Sequence, residues 1–259
     1  MSRISSTFSA LRREGRRAFI PYIMAGDPSL ARTRRLVRLL EDCGADIIEL
    51  GVPFSDPLAD GPVIQAAAER ARGRGVTLSK VIKAVGELRK STEIPIVLMT
   101  YYNPVFRYGD ERFVRDAARA GVDGVIVPDL PPDEAGSLVG PARRHGLDTV
   151  FLAAPTSPEK RLKLVAKSSR GFIYYVSITG ITGARLRLDA TQRRSIEALR
   201  RLSRKPVALG FGVSRPAEAR AVAEFADGVI VGSAIVRKVN EASEEELAKF
   251  LRSLRAAIG

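Results

Sequence analysis

The amino-acid sequence predicts a single-domain (β/α)₈ TIM barrel with extra helices, one of them at the N-terminus. Short apolar runs alternate with amphipathic, charge-bearing stretches along all 259 residues, as in a parallel sheet that is covered by helices. Residues 44–48, 121–126 and 225–230 also resemble one another, since each contains an aspartate followed closely by a β-branched run. The second and third of these aspartates are 104 residues apart, or 26 residues for each of four predicted units. Eight such units match a closed barrel better than an open sheet.

Eight short runs rich in Ile, Val or Leu are predicted to form the barrel strands. They are residues 18–24, 46–50, 95–100, 124–127, 149–152, 172–176, 206–209 and 228–231. The stretches between them carry apolar residues at helical spacing, and the main helices are predicted at residues 30–41, 78–90, 111–120, 158–167 and 191–202. Extra helices are predicted at residues 5–13, 63–72 and 244–257. No Ser/Gly-rich or Pro-rich linker divides the chain, so we expect residues 1–259 to form one domain.

The counts of cysteine and histidine exclude several classes of mechanism. Cys43 is the only cysteine, so no disulfide can form within the chain, and the lone His145 excludes any mechanism that needs two histidines. The longest stretch without a charged residue, residues 171–184, is shorter than the ~20 apolar residues that a membrane-spanning helix needs. Arginines interrupt the apolar residues near the N-terminus, which predicts an amphipathic helix instead of a secretion signal. We therefore expect a cytoplasmic protein that does not enter a membrane.

The formal net charge of +13 is the unusual number in the composition, with 42 Lys and Arg residues against 29 Asp and Glu residues. Such an excess attracts nucleic acid, an acidic membrane face, an anionic metabolite or an acidic protein partner. A barrel that binds nucleic acid is the main non-enzymatic alternative. The basic clusters, however, fall on helical faces around the outside, without interleaved aromatic residues, so we predict no nucleic-acid partner.

Glycine-rich loops follow the last three predicted strands and predict a phosphate site. They are residues 180–183, 210–214 and 232–234, and a helix is expected to begin after the eighth strand, at Ser233. Active sites of such barrels lie at the carboxyl ends of the strands. Glycine lets backbone N–H groups approach an anion, and the positive end of a helix dipole adds to the attraction. Each loop alone is equally consistent with a tight turn, but three adjacent loops favour phosphate.

Two acidic residues near the end of the second strand are the candidate acid–base groups. Glu49 alternates with apolar residues in this strand and is expected to point into the barrel, where burial raises the pKa of a carboxyl group. The alternative is an exposed glutamate at the strand tip, held in a salt bridge. Asp60 lies in the proline-stiffened loop 53–62. From its spacing, this aspartate either caps the following helix or acts over the barrel mouth, and both interpretations remain open.

The other strand ends narrow the chemistry further. None of them carries a lysine, which argues against a Schiff-base enzyme. Asp27, Glu49 and Asp129 offer carboxylates for Mg²⁺, but the third and fifth strands end in neutral residues, so no metal site is predicted. His145 falls at a charged helix terminus and is expected to be exposed. The remaining chemistry is acid–base catalysis by carboxylates on a phosphorylated substrate, without a cofactor in this chain.

The loop after the second strand carries a family resemblance. Residues 50–65 read LGVPFSDPLADGPVIQ and follow Glu49, and this run resembles the signature of the tryptophan synthase α subunit family. Further blocks match in order at residues 22–28, 101–104, 127–131, 177–183 and 210–214. The resemblance implies a (β/α)₈ lyase of L-tryptophan biosynthesis, which cleaves indole-3-glycerol phosphate into indole and glyceraldehyde 3-phosphate by a retro-aldol reaction.

The resemblance also implies roles for particular residues. Glu49 would protonate indole C3 and handle the glycerol hydroxyl proton, while Asp60 would bind the indole N–H and stabilise positive charge on the ring. Thr182 would lie in the loop that closes over the site and would contact Asp60. The phosphate would be bound by Gly183, Gly212, Gly232 and Ser233. The indole pocket would be lined by Tyr22, Ile64, Met99, Asp129 and Tyr174, each of which is equally consistent with plain barrel packing.

Membership of this family would further imply a partner protein. The family works as an αββα heterotetramer, in which the β subunit holds pyridoxal phosphate and condenses the indole that it receives with serine. The interface with the β subunit would be formed by Asp56, Pro57, Tyr102, Asn103 and Pro104. Two further alternatives are a barrel isomerase with another phosphorylated substrate and a catalytically silent subunit that only activates β. The loop 53–65 argues against the first, and the presence of both Glu49 and Asp60 argues against the second.

Overall fold

The computed structural model describes residues 1–176, 190–210 and 212–259, apart from the side chains of residues 190 and 191. Within this part, the chain forms nine strands and twelve helices. The strands are β1 (Ala18–Met24), β2 (Ile48–Gly51), β3 (Ile96–Met99), β4 (Gly124–Ile126), β5 (Asp148–Val150), β6 (Leu152–Ala153), β7 (Ile173–Val176), β8 (Val207–Gly210) and β9 (Gly228–Val231). The helices are α1 (Arg3–Arg13), α2 (Leu30–Asp42), α3 (Pro62–Gly73), α4 (Leu78–Leu88), α5 (Tyr102–Tyr108), α6 (Asp110–Ala120), α7 (Gly136–His145), α8 (Glu159–Ser168), α9 (Ala190–Ser203), α10 (Pro216–Ala223), α11 (Ser233–Glu241) and α12 (Glu244–Ile258).

The strands form one parallel sheet in the order β5-β4-β3-β2-β1-β9-β8-β7-β6. Its two outer strands, β5 and β6, are separated in the chain by Phe151 alone, so the sheet returns on itself as a nearly closed barrel. The Phe151 N–H donates to the Ser169 hydroxyl, 3.4 Å away, and this interruption divides the predicted fifth strand into two pieces. The (β/α)₈ prediction is confirmed, with its fifth strand in two parts.

The predicted helices are present, and each of their ends lies within two residues of its predicted position. Helices α5 and α10, which are short and carry a proline, are not among the predicted ones, and α7 and α11 are predicted only through an end at His145 and a start at Ser233. Pro104 and Pro216 lie in the first turn of their helices, where the missing N–H breaks no helical hydrogen bond. Within the described part of the chain, none of the helices has the length and apolar character needed to cross a membrane.

Helix α1 covers the end of the barrel at which the strands begin. Its apolar residues Ile4, Phe8 and Leu11 are buried, and the Phe8 ring packs on that of Phe172, with centroids 5.7 Å apart. Arginines occupy the last turn of the helix. The amphipathic N-terminal helix is therefore confirmed, and its apolar face becomes part of the barrel core.

The three repeated aspartates share one structural role at this same end of the barrel. Each aspartate precedes one strand, and its carboxylate accepts a hydrogen bond from a backbone N–H of the neighbouring strand. The hydrogen bonds run from Phe19 to Asp46 at 2.8 Å, from Ile96 to Asp123 at 2.8 Å and from Val207 to Asp227 at 2.9 Å. Each aspartate also pairs with an arginine from a neighbouring helix or helix end, namely Arg255, Arg89 and Arg200 in the same order. The sequence repeat therefore marks the joints between adjacent strands.

Candidate active site

Glu49 lies in β2 with its side chain inside the barrel mouth. In the parallel register it stands opposite Tyr22 of β1 and Val97 of β3. The residue is 1% exposed, and neither carboxylate oxygen has a hydrogen-bond partner in the described part of the chain. Burial, followed by the charge of Asp60, raises the pKa of Glu49 to about 8. The structure thus places this glutamate inward, as expected, and not in a salt bridge at the strand tip.

Asp60 lies in the loop between β2 and α3, close enough to Glu49 to affect its pKa. The cap of α3 is Gly61, and no side chain caps this helix, so the capping interpretation of Asp60 is wrong. Its carboxylate is instead hydrogen-bonded by the Tyr101 side chain. Burial raises the pKa of Asp60 to about 6, although the hydrogen bond from Tyr101 lowers it. At neutral pH the site therefore contains one protonated and one ionised carboxyl group.

Tyr101 is a site residue that the sequence does not single out. Its hydroxyl accepts the Ala59 N–H at 3.0 Å and hydrogen-bonds Asp60, and its ring stacks on that of Phe54, with centroids 5.3 Å apart. Burial and the charge of Asp60 raise the pKa of Tyr101, so the hydroxyl remains a donor. Since all three partners belong to the loop 53–62, Tyr101 holds that loop against the end of β3. The feature of the sequence that could have identified Tyr101 is its position directly after the third strand, which neighbours the strand that carries Glu49.

Two buried tyrosines line the barrel interior beside the carboxyl groups. Tyr22 of β1 and Tyr174 of β7 are each 4% exposed. Burial raises the pKa of both well above the ordinary value, and the charges of the two carboxyl groups add to the effect. Their hydroxyls fit because Gly51 and Gly210 have no side chain: a β-carbon would lie 2.0 Å from the Tyr22 hydroxyl and 2.3 Å from that of Tyr174. These two predicted pocket residues therefore lie beside the catalytic candidates.

The other three predicted pocket residues lie in different surroundings. Met99 ends β3 and is buried, and Ile64, in the first turn of α3, is half-buried. Asp129 is exposed, and both of its carboxylate oxygens accept the Tyr102 N–H, at 2.9 and 3.1 Å. This carboxylate fixes the first residue of α5, so it lies at the rim of the mouth and not in an enclosed pocket.

The predicted phosphate residues are described in part, since Gly183 lies outside the described residues, as does Thr182, the predicted loop-closure residue. Gly212 adopts a φ of +83°, which favours glycine. Gly232 precedes α11, and no side chain caps the start of this helix at Ser233, so its first N–H groups are available to an anion. A β-carbon on Gly232 would lie 3.7 Å from both Tyr22 and Ile64. The predicted phosphate and indole sites are therefore adjacent.

Asp27 and His145 lie in surroundings that differ from those of the two candidate acid–base groups. In the described part of the chain, no group of three or more His, Cys, Asp or Glu side chains is placed to hold a metal ion. Asp27 is buried, and its carboxylate accepts two hydrogen bonds from Arg70, at 2.9 and 2.8 Å, and one from Asn240 at 2.9 Å. His145 is exposed, as predicted, and lies 3.5 Å from Glu111.

The predicted interface residues lie in two segments that adjoin the site. Asp56 and Asn103 are exposed, and the half-buried members are Pro57, Tyr102 and Pro104. Two large apolar side chains protrude from the same segments, Leu58 at 84% exposure and Phe106 at 66%. The Phe106 ring packs on that of Tyr102, with centroids 6.0 Å apart. The hydrogen bond from Ala59 to Tyr101 joins the two segments. We call Leu58, Tyr102 and Phe106 the apolar rim.

Comparison with known proteins identifies the family. Residues 8–257 match the family model described as tryptophan synthase alpha chain. The tryptophan synthase alpha chain of Geobacter sulfurreducens is 51% identical over 263 residues, with all of both chains covered, and that of Picosynechococcus sp. is 48% identical with the same coverage. The crystal structure of tryptophan synthase subunit alpha from Legionella pneumophila superposes with a TM-score of 0.92 at 38% identity, covering 100% of this chain and 98% of that one. This chain belongs to the tryptophan synthase alpha chain family, the lyases that cleave indole-3-glycerol phosphate.

Proposed function

We propose that Glu49 and Asp60 together catalyse the retro-aldol cleavage of indole-3-glycerol phosphate to indole and glyceraldehyde 3-phosphate. The observation that carries this proposal is the pair of pKa values. Glu49, with a pKa of about 8, is protonated at neutral pH, and Asp60, with a pKa of about 6, is ionised. A carboxylic acid and a carboxylate side by side can add a proton to a substrate and stabilise the resulting cation.

The proton movements balance within the substrate and Glu49. The Glu49 carboxyl group donates its proton to indole C3, and the positive charge that forms on the ring lies largely on the nitrogen, whose N–H is held by the Asp60 carboxylate. The Glu49 carboxylate then takes the proton of the hydroxyl on the glycerol carbon attached to the ring. The carbon–carbon bond breaks, its electron pair restores the aromatic ring, and the hydroxyl carbon becomes the aldehyde. Glu49 ends protonated, as it began.

The rest of the site supports binding and orientation. Tyr22, Met99 and Tyr174 provide apolar surface for the indole ring, with Ile64 between the ring and the phosphate. The phosphate would bind the uncapped N-terminus of α11 at Gly232 and Ser233, together with Gly212. Gly183 is assigned to the same phosphate and Thr182 to loop closure by family resemblance alone. No cofactor is needed for this chemistry within the chain.

Membership of the family implies a β subunit as partner. We propose an αββα assembly in which Asp56, Pro57, Tyr102, Asn103 and Pro104 contact β, with pyridoxal phosphate belonging to that subunit. The apolar rim supports this placement, because large exposed apolar side chains beside a site are typical of protein interfaces. A cytoplasmic location, a single domain over residues 1–259 and the lack of a nucleic-acid partner stay predictions.

The test is an assay of indole release by the Glu49→Gln variant. We expect the rate to fall by about 10²- to 10⁴-fold, because glutamine keeps the shape of the side chain but cannot transfer the proton. Equilibrium binding of indole-3-glycerol phosphate should change little, since the amide replaces a neutral carboxylic acid. The matched control is Glu134→Gln, which changes an exposed glutamate. A Glu49→Gln variant with near wild-type turnover, with or without the β subunit, contradicts the proposal.

A further inference from the structure

A cavity of about 550 Å³ lies at the end of the barrel opposite the catalytic carboxyl groups. It is bounded by α1 and by the segments at which β5, β7 and β8 begin. Among the described residues, six with charged side chains line it, namely Arg12, Arg13, Asp148, Arg170, Arg204 and Lys205. Five of the six are cationic, and the volume lies within the range of small-molecule sites. We call this space the basic cavity.

The single acidic residue among these six already has partners within the protein. Asp148 is buried, accepts the Ser2 hydroxyl at 2.5 Å and pairs with Arg170 at 3.3 Å. By contrast, Arg12, Arg13 and Arg204 are exposed and have no acidic partner in the described part of the chain. Three arginine charges therefore face the basic cavity without a counter-charge from the residues that the structure describes.

The surroundings of Lys205 indicate a positive electrostatic potential at the basic cavity. Its ammonium donates to the Ala166 carbonyl at 2.5 Å, so the group is held in place. Burial lowers the pKa of Lys205, and the charges of Arg143 and Arg170 lower it further. Cations that repel one another in a partly buried space favour the binding of an anion that offsets them.

The backbone at Arg204 gives a separate observation. This residue follows α9 with a φ of +53°, the only positive φ of a non-glycine residue in the described part of the chain. Left-handed backbone is strained for a residue with a β-carbon, and glycine is the usual residue just after a helix. Glycine would remove this strain, but it would also remove one cation from the cavity. The strained backbone and the unpaired charge therefore coincide at one residue.

We propose that the basic cavity binds a small anion that carries two or more phosphate groups. Guanidinium groups bind phosphate oxygens through paired, charge-assisted hydrogen bonds, and several arginines around one space suit several phosphates. The site lies where the strands begin, whereas the predicted phosphate loops lie where they end. The inference is therefore independent of the proposed catalytic function.

Isothermal titration of the full chain with inorganic pyrophosphate tests this proposal. We expect saturable binding that weakens by about 10- to 1,000-fold in the triple variant Arg12→Gln, Arg13→Gln, Arg204→Gly, since each lost charge-assisted contact is worth up to about tenfold in affinity. The three side chains are exposed, so the variant should keep its fold and its rate of indole release. Arg204→Gly alone should weaken binding while leaving the melting temperature unchanged or raised.

The matched control removes three arginine charges from the exposed face of α2, as Arg34→Gln, Arg35→Gln and Arg38→Gln. This control has the same net charge as the triple variant, and its pyrophosphate affinity should stay near that of the wild type. Equal weakening in both variants would show diffuse attraction by the net charge and overturn the proposal. Unchanged binding in the cavity variant would overturn it as well, because the pyrophosphate would then occupy another site.

Discussion

At the scale of single residues, the two carboxyl groups are set apart by their surroundings. Glu49 is fully enclosed and lacks a hydrogen-bond donor in the described residues, whereas Asp60 accepts one from Tyr101. We predict a bell-shaped pH profile of kcat/KM. Activity should fall below about pH 6, where Asp60 gains a proton, and above about pH 8, where Glu49 loses its proton. The two limbs belong to the coupled pair. Measuring indole release between pH 5 and 9.5 checks this, and activity that keeps rising above pH 8 contradicts it.

Tyr101 should control the acidic limb of that profile. Its hydroxyl stabilises the ionised form of Asp60, so Tyr101→Phe should raise the pKa of Asp60 and move the acidic limb to higher pH. The alkaline limb should move little. A loss of loop support alone would lower activity at every pH without shifting the limb. Tyr108→Phe is the control, because this tyrosine also loses a hydrogen bond to an aspartate, Asp116, away from the site.

At the scale of elements, the period of the apolar residues predicted the barrel strands and the long helices. The short helix α5 was not predicted, because its start depends on a contact distant in sequence, the Asp129 carboxylate on the Tyr102 N–H. The division of the fifth strand likewise depends on Ser169. Glu49 could be predicted from alternation within one strand, while the link between Tyr101 and Asp60 joins two separate loops and required the fold.

The joints between strands allow a prediction about stability. Asp123 bonds the Ile96 N–H and pairs with Arg89, and both side chains are largely buried. Asp123→Asn should destabilise the fold by about 3–5 kcal/mol, since it leaves a buried guanidinium without its counter-charge. Urea denaturation measures the change. Glu87→Gln breaks the exposed pair with Lys90 and should have no measurable effect. Equal stability of the two variants would show that the buried pair is not needed.

At the scale of the whole molecule, the 42 Lys and Arg residues that give the net charge of +13 occupy three kinds of position. Some arginines neutralise the aspartates at the strand joints, some line the basic cavity, and others lie on outer helices. In the proposed mechanism, catalysis depends on two acidic side chains and phosphate binding on backbone N–H groups. The unpaired charge that first suggested nucleic acid therefore lies at the basic cavity and on the outer helices, and partner recognition is better sought in the apolar rim.

The apolar rim leads to a prediction about assembly. Phe106→Ser removes a large exposed ring from the predicted interface, so the β subunit should bind about 10- to 100-fold more weakly. Cleavage by the isolated chain should not change, because Phe106 does not touch the carboxyl groups. The measurement is the β concentration that gives half-maximal stimulation of indole release. Leu202→Ser is the control, since Leu202 is also exposed but lies in the last turn of α9, near the opposite end of the barrel. If Leu202→Ser weakens the response as much as Phe106→Ser, the apolar rim is not the surface that β recognises.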